Sequence, residues 1–79
     1  MMTYPALSAG SYGSYVKYAQ ELLMSAGFML RCFGPDGRFG EETSLQVSMF
    51  QEQNRLEPTG TVDHATWHRL LEYDTYKVG

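Results

Sequence analysis

The sequence is poor in the residues from which most small-protein chemistry is built. It holds a single cysteine, Cys32, in 79 residues, which excludes an intramolecular disulfide framework and a cysteine-based zinc site. With no base or cation beside it except Arg31, Cys32 is expected to be a small buried or half-buried apolar residue. Positive charge is scarce too: six Lys and Arg stand singly against nine Asp and Glu, for a net charge of -3. That balance argues against nucleic acid or an anionic membrane surface as the partner. No apolar run is long enough for a membrane span, and Met1 to Gly13 has neither the basic start nor the apolar middle of a signal peptide. The expectation is one small domain with a modest core, either exported by another route or cut from a longer protein.

Catalytic patterns are equally sparse. His64 and His68 stand four apart with Glu72 continuing the row, but Ala65 occupies the place of a metalloprotease's glutamate and no further ligand completes a site. Two solvated histidines are the better reading, so no metal is expected. Gly34, Gly37 and Gly40 are not followed by the lysine of a phosphate-cradling loop, and Glu41 and Glu42 would repel the anion. Asp36, Glu41, Glu42 and Asp63 each serve more simply as turn or cap residues than as a glycosidase pair, and no serine stands in a nucleophile elbow. The chain is read as non-catalytic.

What is present is a repeated loop-then-helix grammar. Gly34-Pro35-Asp36-Gly37-Arg38-Phe39-Gly40 supplies the conformations of a tight loop, and Glu41 and Glu42 place negative charge at a helix start. Phe39, Thr43, Val47 and Phe50 then recur at helical spacing, which predicts a helix over Glu41 to Gln53 with Leu45 and Met49 exposed on its far side. The grammar returns with Gly60, Val62, Asp63, Thr66 and Leu70 in the places of Gly37, Phe39, Gly40, Thr43 and Val47. A fainter copy at the front lays Gly10, Gly13, Val16, Gln20 and Leu23 on Gly37, Gly40, Thr43, Val47 and Phe50.

Each unit is too small to bury its apolar face alone, so all three are expected to share one core. A first helix should run from about Ser14 to Ala26, burying Val16, Ala19, Leu22, Leu23 and Ala26 and ending at Gly27. Tyr15 and Tyr18 should lay their rings over the core margin with hydroxyls in water. Phe28 to Phe33 reads as an irregular linker with Phe28 and Leu30 inward. Asn54 is expected to take the left-handed conformation that ends the second helix, and Asp63 to cap a third from His64 to about Tyr73 with Trp67, Leu70 and Leu71 buried. The fold class is all-α: a small three-helix bundle with Gly-rich loops, residues 1–6 forming an extension anchored by Leu7, 7–73 the domain, and 74–79 a tail or linker stump.

Taken together, Gly10, Gly13, Val16, Gln20, Leu23 and Gly27, then Asp36-Gly37-Arg38-Phe39-Gly40 with Thr43, Val47 and Phe50-Gln51, then Leu56, Gly60, Val62, Thr66-Trp67 and Leu70, resemble the peptidoglycan-binding domain of bacterial cell-wall hydrolases. The likeness covers roughly residues 7–73. It implies a non-catalytic module, without cofactor, that targets an attached hydrolase to the wall at an extracellular or cell-wall location. The prodomain of matrix metalloproteases has a similar fold, but Cys32 lacks that family's cysteine-switch context. This chain departs from the usual family pattern at Ala19 and Gln46, implying a repacked helix contact, and at Arg55 (usually Gly), Asp63 and His64, implying altered helix ends.

Peptidoglycan offers sugar faces that stack on aromatic rings and stem peptides rich in amide and carboxylate groups. The residues that the resemblance brings forward as ligand contacts are Tyr12, Tyr15, Arg38, Gln51 and Asn54. An alternative of a different class is a protein-interaction or inhibitory prodomain-like module, with weak self-association, working through the exposed face of Leu45 and Met49.

Overall fold

The structure, a computed structural model, describes residues 4–74. Three helices, α1 (Ser14–Ser25), α2 (Glu41–Gln53) and α3 (His64–Leu70), follow one another, and α3 runs into a 3-10 turn at Leu71–Tyr73. The described residues include no strand; two isolated antiparallel bridges, Leu7 to Val62 and Tyr12 to Arg38, tie the loops together. The expected all-α bundle is therefore what forms, and the bounds of α2 are those the periodicity predicts. Of the predicted tail, 75–79 lies outside the described residues.

One apolar interior joins all three helices. Val16, Leu23, Val47, Phe50, Val62 and Leu70 are fully buried, Ala19, Leu22, Phe39, Trp67 and Leu7 nearly so, and Tyr4, Tyr18, Ala26, Phe28 and Leu71 pack at its edge. Leu30 is buried as expected. The Trp67 indole N–H donates to the Pro5 carbonyl at 2.7 Å, and the Tyr4 ring lies 4.7 Å from the Trp67 ring. Tyr4 and Pro5, placed by sequence in an extension, thus complete the tryptophan's surroundings. Tyr18 also differs from expectation: its hydroxyl donates to Asp74. Burial, then that bond, pushes the phenol well above its ordinary range.

The repeat is visible in hydrogen bonds. Gly10, Gly37 and Gly60 all have positive φ and each precedes its helix's N-cap residue (Gly13, Gly40 and Asp63) by three positions. Two buried glutamines then clasp the loop that follows their own helix. Gln20 of α1 accepts from the Gly37 N–H at 2.8 Å and donates toward the Arg38 carbonyl (2.9 Å), Thr43 Oγ1 (3.0 Å) and Asp36 Oδ1 (3.3 Å). Gln51 of α2 accepts from the Gly60 N–H at 3.0 Å and donates toward the Thr61 carbonyl (2.9 Å), Thr66 Oγ1 (2.8 Å) and Thr59 Oγ1 (3.3 Å). The N-cap register of the front copy holds, but in its bonding Gln20 corresponds to Gln51 and not to Val47. Each buried amide has a partner at both ends, so the polar groups inside the core are satisfied.

The helix ends carry one correction. After α1, Phe28 N–H bonds the Leu23 carbonyl and Gly27 N–H bonds Met24, with Gly27 at φ 96°, a Schellman end of the predicted kind. After α2 the same bonds run from Leu56 to Gln51 and from Arg55 to Glu52. Here the left-handed residue is Arg55, at φ 61°, and not Asn54, whose φ is -94°. The helix ends at Gln53 as expected, but the left-handed turn falls one residue later than the Asn54 signal suggested, and Asn54 instead donates its side-chain amide to the Phe50 carbonyl. Asp63 accepts from the Thr66 N–H at 2.9 Å, as a cap should.

Candidate functional site

The loop that Gln20 holds forms one side of an open groove. Its lining comes from residues 10–14 with Lys17 of α1, from 32–34, and from 36–43 at the start of α2, and it has a volume of about 1300 Å³. Loop-to-loop bonds build it: Gly10 N–H to the Phe39 carbonyl (3.0 Å), Phe39 N–H to the Ser11 carbonyl (2.9 Å) and Gly13 N–H to the Gly37 carbonyl (2.9 Å). Gly37 has φ 82° and its Cα comes close enough to the front loop that a Cβ would lie 3.4 Å from the Gly13 carbonyl. The third wall is fastened by Glu42, whose carboxylate accepts from the N–H groups of Arg31 (2.8 Å) and Cys32 (3.2 Å). That contact leaves Cys32 exposed, against the expectation of burial. Its side chain sits on a surface turn whose backbone, not its thiol, makes the structural bond.

The expected contact residues do not all meet. Tyr12 and Arg38 do: they are bridge partners, both exposed, and both line the groove. Tyr15 stands elsewhere, its ring 5.9 Å from Tyr4 and 6.4 Å from Trp67 in an aromatic cluster beside the core. Gln51 is fully buried and its amide is committed to the loop before α3. It therefore offers nothing to a ligand, because every polar atom it has is already inside the fold. Asn54 lies at the far end of α2, outside the groove lining.

Sequence reasoning passed over Phe33 and Lys17, which also line the groove. Phe33 is 79% exposed and Tyr12 83%, the two most exposed rings among the described residues. Phe33 carried one usable signal, an aromatic directly before a Gly-Pro turn, where a ring has no helical face to pack on. Lys17 lies one turn ahead of Gln20 on α1 and so reaches the same loop from outside.

The charges in the groove are not equally free. The Arg38 N–H (3.0 Å), then Gln20, hold the Asp36 carboxyl below its usual range. Glu42 is engaged with the 31–32 backbone as described. Lys17 and Arg38 are exposed, as is Glu41. Beside its exposed rings the groove therefore carries charge of both signs, three carboxylates (Asp36, Glu41 and Glu42) and two cations (Lys17 and Arg38). His64, His68 and Glu72 are exposed on another part of the surface, and among the described residues no three His, Cys, Asp or Glu side chains are grouped as a metal would require. Leu45 and Met49 are 57% and 44% exposed on α2.

Comparison with known proteins is consistent along nearly the whole chain. A family profile described as a putative peptidoglycan binding domain matches residues 12–70. A probable N-acetylmuramoyl-L-alanine amidase of Bacillus licheniformis is 37% identical over 73 residues, 92% of this chain and 21% of that protein, so the chain spans about a fifth of that relative's length. The crystal structure of the SleB N-terminal domain matches with a TM-score of 0.82 at 26% identity, covering 91% of this chain and 96% of that one. A peptidoglycan-binding protein from Clostridioides difficile, solved in complex with glutamine hydroxamate, matches at 0.80 and 33% identity over 89% of this chain and 42% of that one. A Burkholderia AP3 phage endolysin matches at 0.78 and 28% identity, over 95% and 27% respectively.

Proposed function

The chain belongs to the peptidoglycan-binding domain family, and from that premise we propose that it is a non-catalytic module that holds an attached or partner hydrolase against the bacterial cell wall. The observation that carries this reading is the groove between residues 10–17 and 32–43, with exposed aromatic rings and cations around a loop fixed from behind by Gln20. Such a surface binds weakly and reversibly, and linkage to a catalytic domain converts weak binding into high local concentration on an insoluble substrate. The chain's small share of the amidase relative fits a module within a longer wall enzyme acting outside the cell or in the wall.

Co-sedimentation of the isolated chain with purified sacculi tests the proposal. The expected result is enrichment in the pellet, reduced by added soluble wall fragments. Recovery of all the protein in the supernatant at low salt across a range of pH overturns it.

A second reading is supported by the exposure of Leu45 and Met49: a protein-interaction or inhibitory module that docks or self-associates through that face of α2. Leu45→Glu separates the two readings. Loss of partner docking or self-association with sacculus binding unchanged favours the second; unchanged hydrodynamic behaviour and unchanged sacculus binding favour the first.

A further inference from the structure

We infer that the Asp36–Gly37 step is a modification site, a place where the chain rearranges to isoaspartate through a cyclic imide, and that Gln20 keeps it closed while the loop is clasped. Asp36 is the chain's one Asp or Asn followed by glycine; Asn54, Asp63 and Asp74 precede Arg55, His64 and Thr75. A glycine leaves its own amide nitrogen uncrowded, with no Cβ beside it. In the reaction that nitrogen attacks Asp36 Cγ: an N–Cγ bond forms, the Cγ–OH bond breaks, and the hydroxyl leaves as water with the amide proton. Water then returns to the five-membered imide. Opening at Cγ restores aspartate, whereas opening at the main-chain carbonyl carbon of Asp36 leaves the backbone running through Cγ, one methylene longer. The two steps release and take up one water.

Both reacting groups are held by one side chain. The Gly37 N–H donates to Gln20 Oε1 at 2.8 Å, Gln20 Nε2 donates toward Asp36 Oδ1 at 3.3 Å, and Gln20 is fully buried. The attacking nitrogen must give up its proton and turn its face toward Cγ, and a buried bond to a fixed amide opposes both. Gly37 is further pinned by its carbonyl, which accepts from the Gly13 N–H at 2.9 Å. The carboxyl is the other half. Only the protonated acid carries a hydroxyl that can leave, and the Arg38 N–H at 3.0 Å, then Gln20, hold Asp36 as the carboxylate. Asp36 itself is exposed, so hydrogen bonds and not burial block the step, and it opens when the loop does. A backbone lengthened at residue 36 carries the Gly37 and Arg38 N–H groups out of register with Gln20 and with the carboxyl. The clasp then does not re-form, and the groove wall built on it is lost.

The test follows isoaspartate in the intact chain at mildly acidic pH, counted by isoaspartyl methyltransferase labelling and located by electron-transfer fragmentation. Folded wild type should accumulate it at residue 36 at least about tenfold more slowly than the same chain in guanidinium chloride, since the reaction waits on local opening. Gln20→Leu, under conditions where it is folded, should react about fivefold or more faster than Gln51→Leu, which loses the matching clasp of the other loop and leaves 36–37 untouched. Asp36→Asn keeps the outcome readable even where Gln20→Leu does not fold. Its side chain releases ammonia in the same ring closure, a mass change on hydrolysis, while Gln20 still holds the Gly37 N–H; it too should react more slowly folded than in denaturant. Equal rates in folded and denatured wild type or Asp36→Asn, or equal rates in folded Gln20→Leu and Gln51→Leu, overturn the inference. Because the readout is chemical, absence of sacculus binding removes the wall-binding reading and not this one.

Discussion

The loop before α2 and the loop before α3 are built alike and decorated differently. Each has a glycine of positive φ, a buried glutamine accepting that glycine's N–H, and a threonine of the next helix taking the amide's other end. Around the first, Asp36, Arg38, Phe33 and Tyr12 face a groove; around the second, Thr59 takes the place of Asp36, Asp63 caps the helix, and none of 59–63 lines that groove. The bonding skeleton makes the fold, and what decorates the skeleton makes the groove. A buried amide is suited to the first task because it satisfies a loop N–H and a loop carbonyl at once, both of which would otherwise be buried without partners.

The comparison breaks most clearly if the latches are cut. Gln51→Leu and Gln20→Leu should each lower stability by roughly 2–4 kcal/mol, since a buried N–H and carbonyl lose their partners. Chemical denaturation measures this. Under conditions where both variants are folded, Gln51→Leu should still pellet with sacculi and Gln20→Leu should not. Equal binding by both would mean that the central loop has no special role.

The two glycines sharpen it next. A Cβ at Gly60 would lie 2.6 Å from Ser44 Oγ, whereas one at Gly37 meets nothing nearer than 3.4 Å. Both alanine variants suffer backbone strain of about 1–2 kcal/mol, but Gly60→Ala adds overpacking of roughly 1–3 kcal/mol. Ser44→Ala, by deleting the atom in the way, should recover part of the Gly60→Ala loss and none of the Gly37→Ala loss in a double-mutant cycle.

A smaller difference lies in the helix starts. Asp63 caps α3, whereas α2 begins at Gly40 with no side-chain cap. Asp63→Ala should cost about 1 kcal/mol at neutral pH. The Thr66 N–H holds the Asp63 carboxyl below its ordinary range. Its contribution is therefore complete above the unfolded-state value of about 4 and is lost as pH falls through the lower folded-state value. Denaturation midpoints of wild type and variant should converge in acid. The smallest effect concerns the helix ends: α1 stops on Gly27 and α2 on Arg55 at φ 61°, so Arg55→Gly should raise stability by about 0.5–1 kcal/mol in the same assay.

Helical periodicity and cap residues carried the fold. Phe39, Val47, Phe50, Trp67 and Leu70 lie inside because their spacing turns them inward, and the bounds of α2 follow from Gly40-Glu41 and from the turn that begins after Gln53. The candidate groove was half readable. Tyr12 and Arg38 share a groove through the loop repeat, but Phe33 joins them only because Glu42 ties residues 31 and 32 to α2, a contact ten residues apart with no periodic trace. Gln51 shows the opposite failure: a polar residue in the right neighbourhood reads as a ligand contact until its bonds reveal that the fold has used it. Arg55 was masked for a related reason, since Asn54 carries the stronger local preference and only the Leu56-to-Gln51 bond decides which residue turns left-handed.

The most direct test is an NMR titration of the isotope-labelled chain with soluble peptidoglycan fragments, mapped residue by residue. Shifts concentrated in 10–17 and 32–43, with 59–63 and the Leu45–Met49 face quiet, are the predicted result. Shifts confined to the loop before α3 or to that face of α2, or no shifts at fragment concentrations that compete with sacculi, would contradict the assignment of the wall-binding surface to the loop held by Gln20.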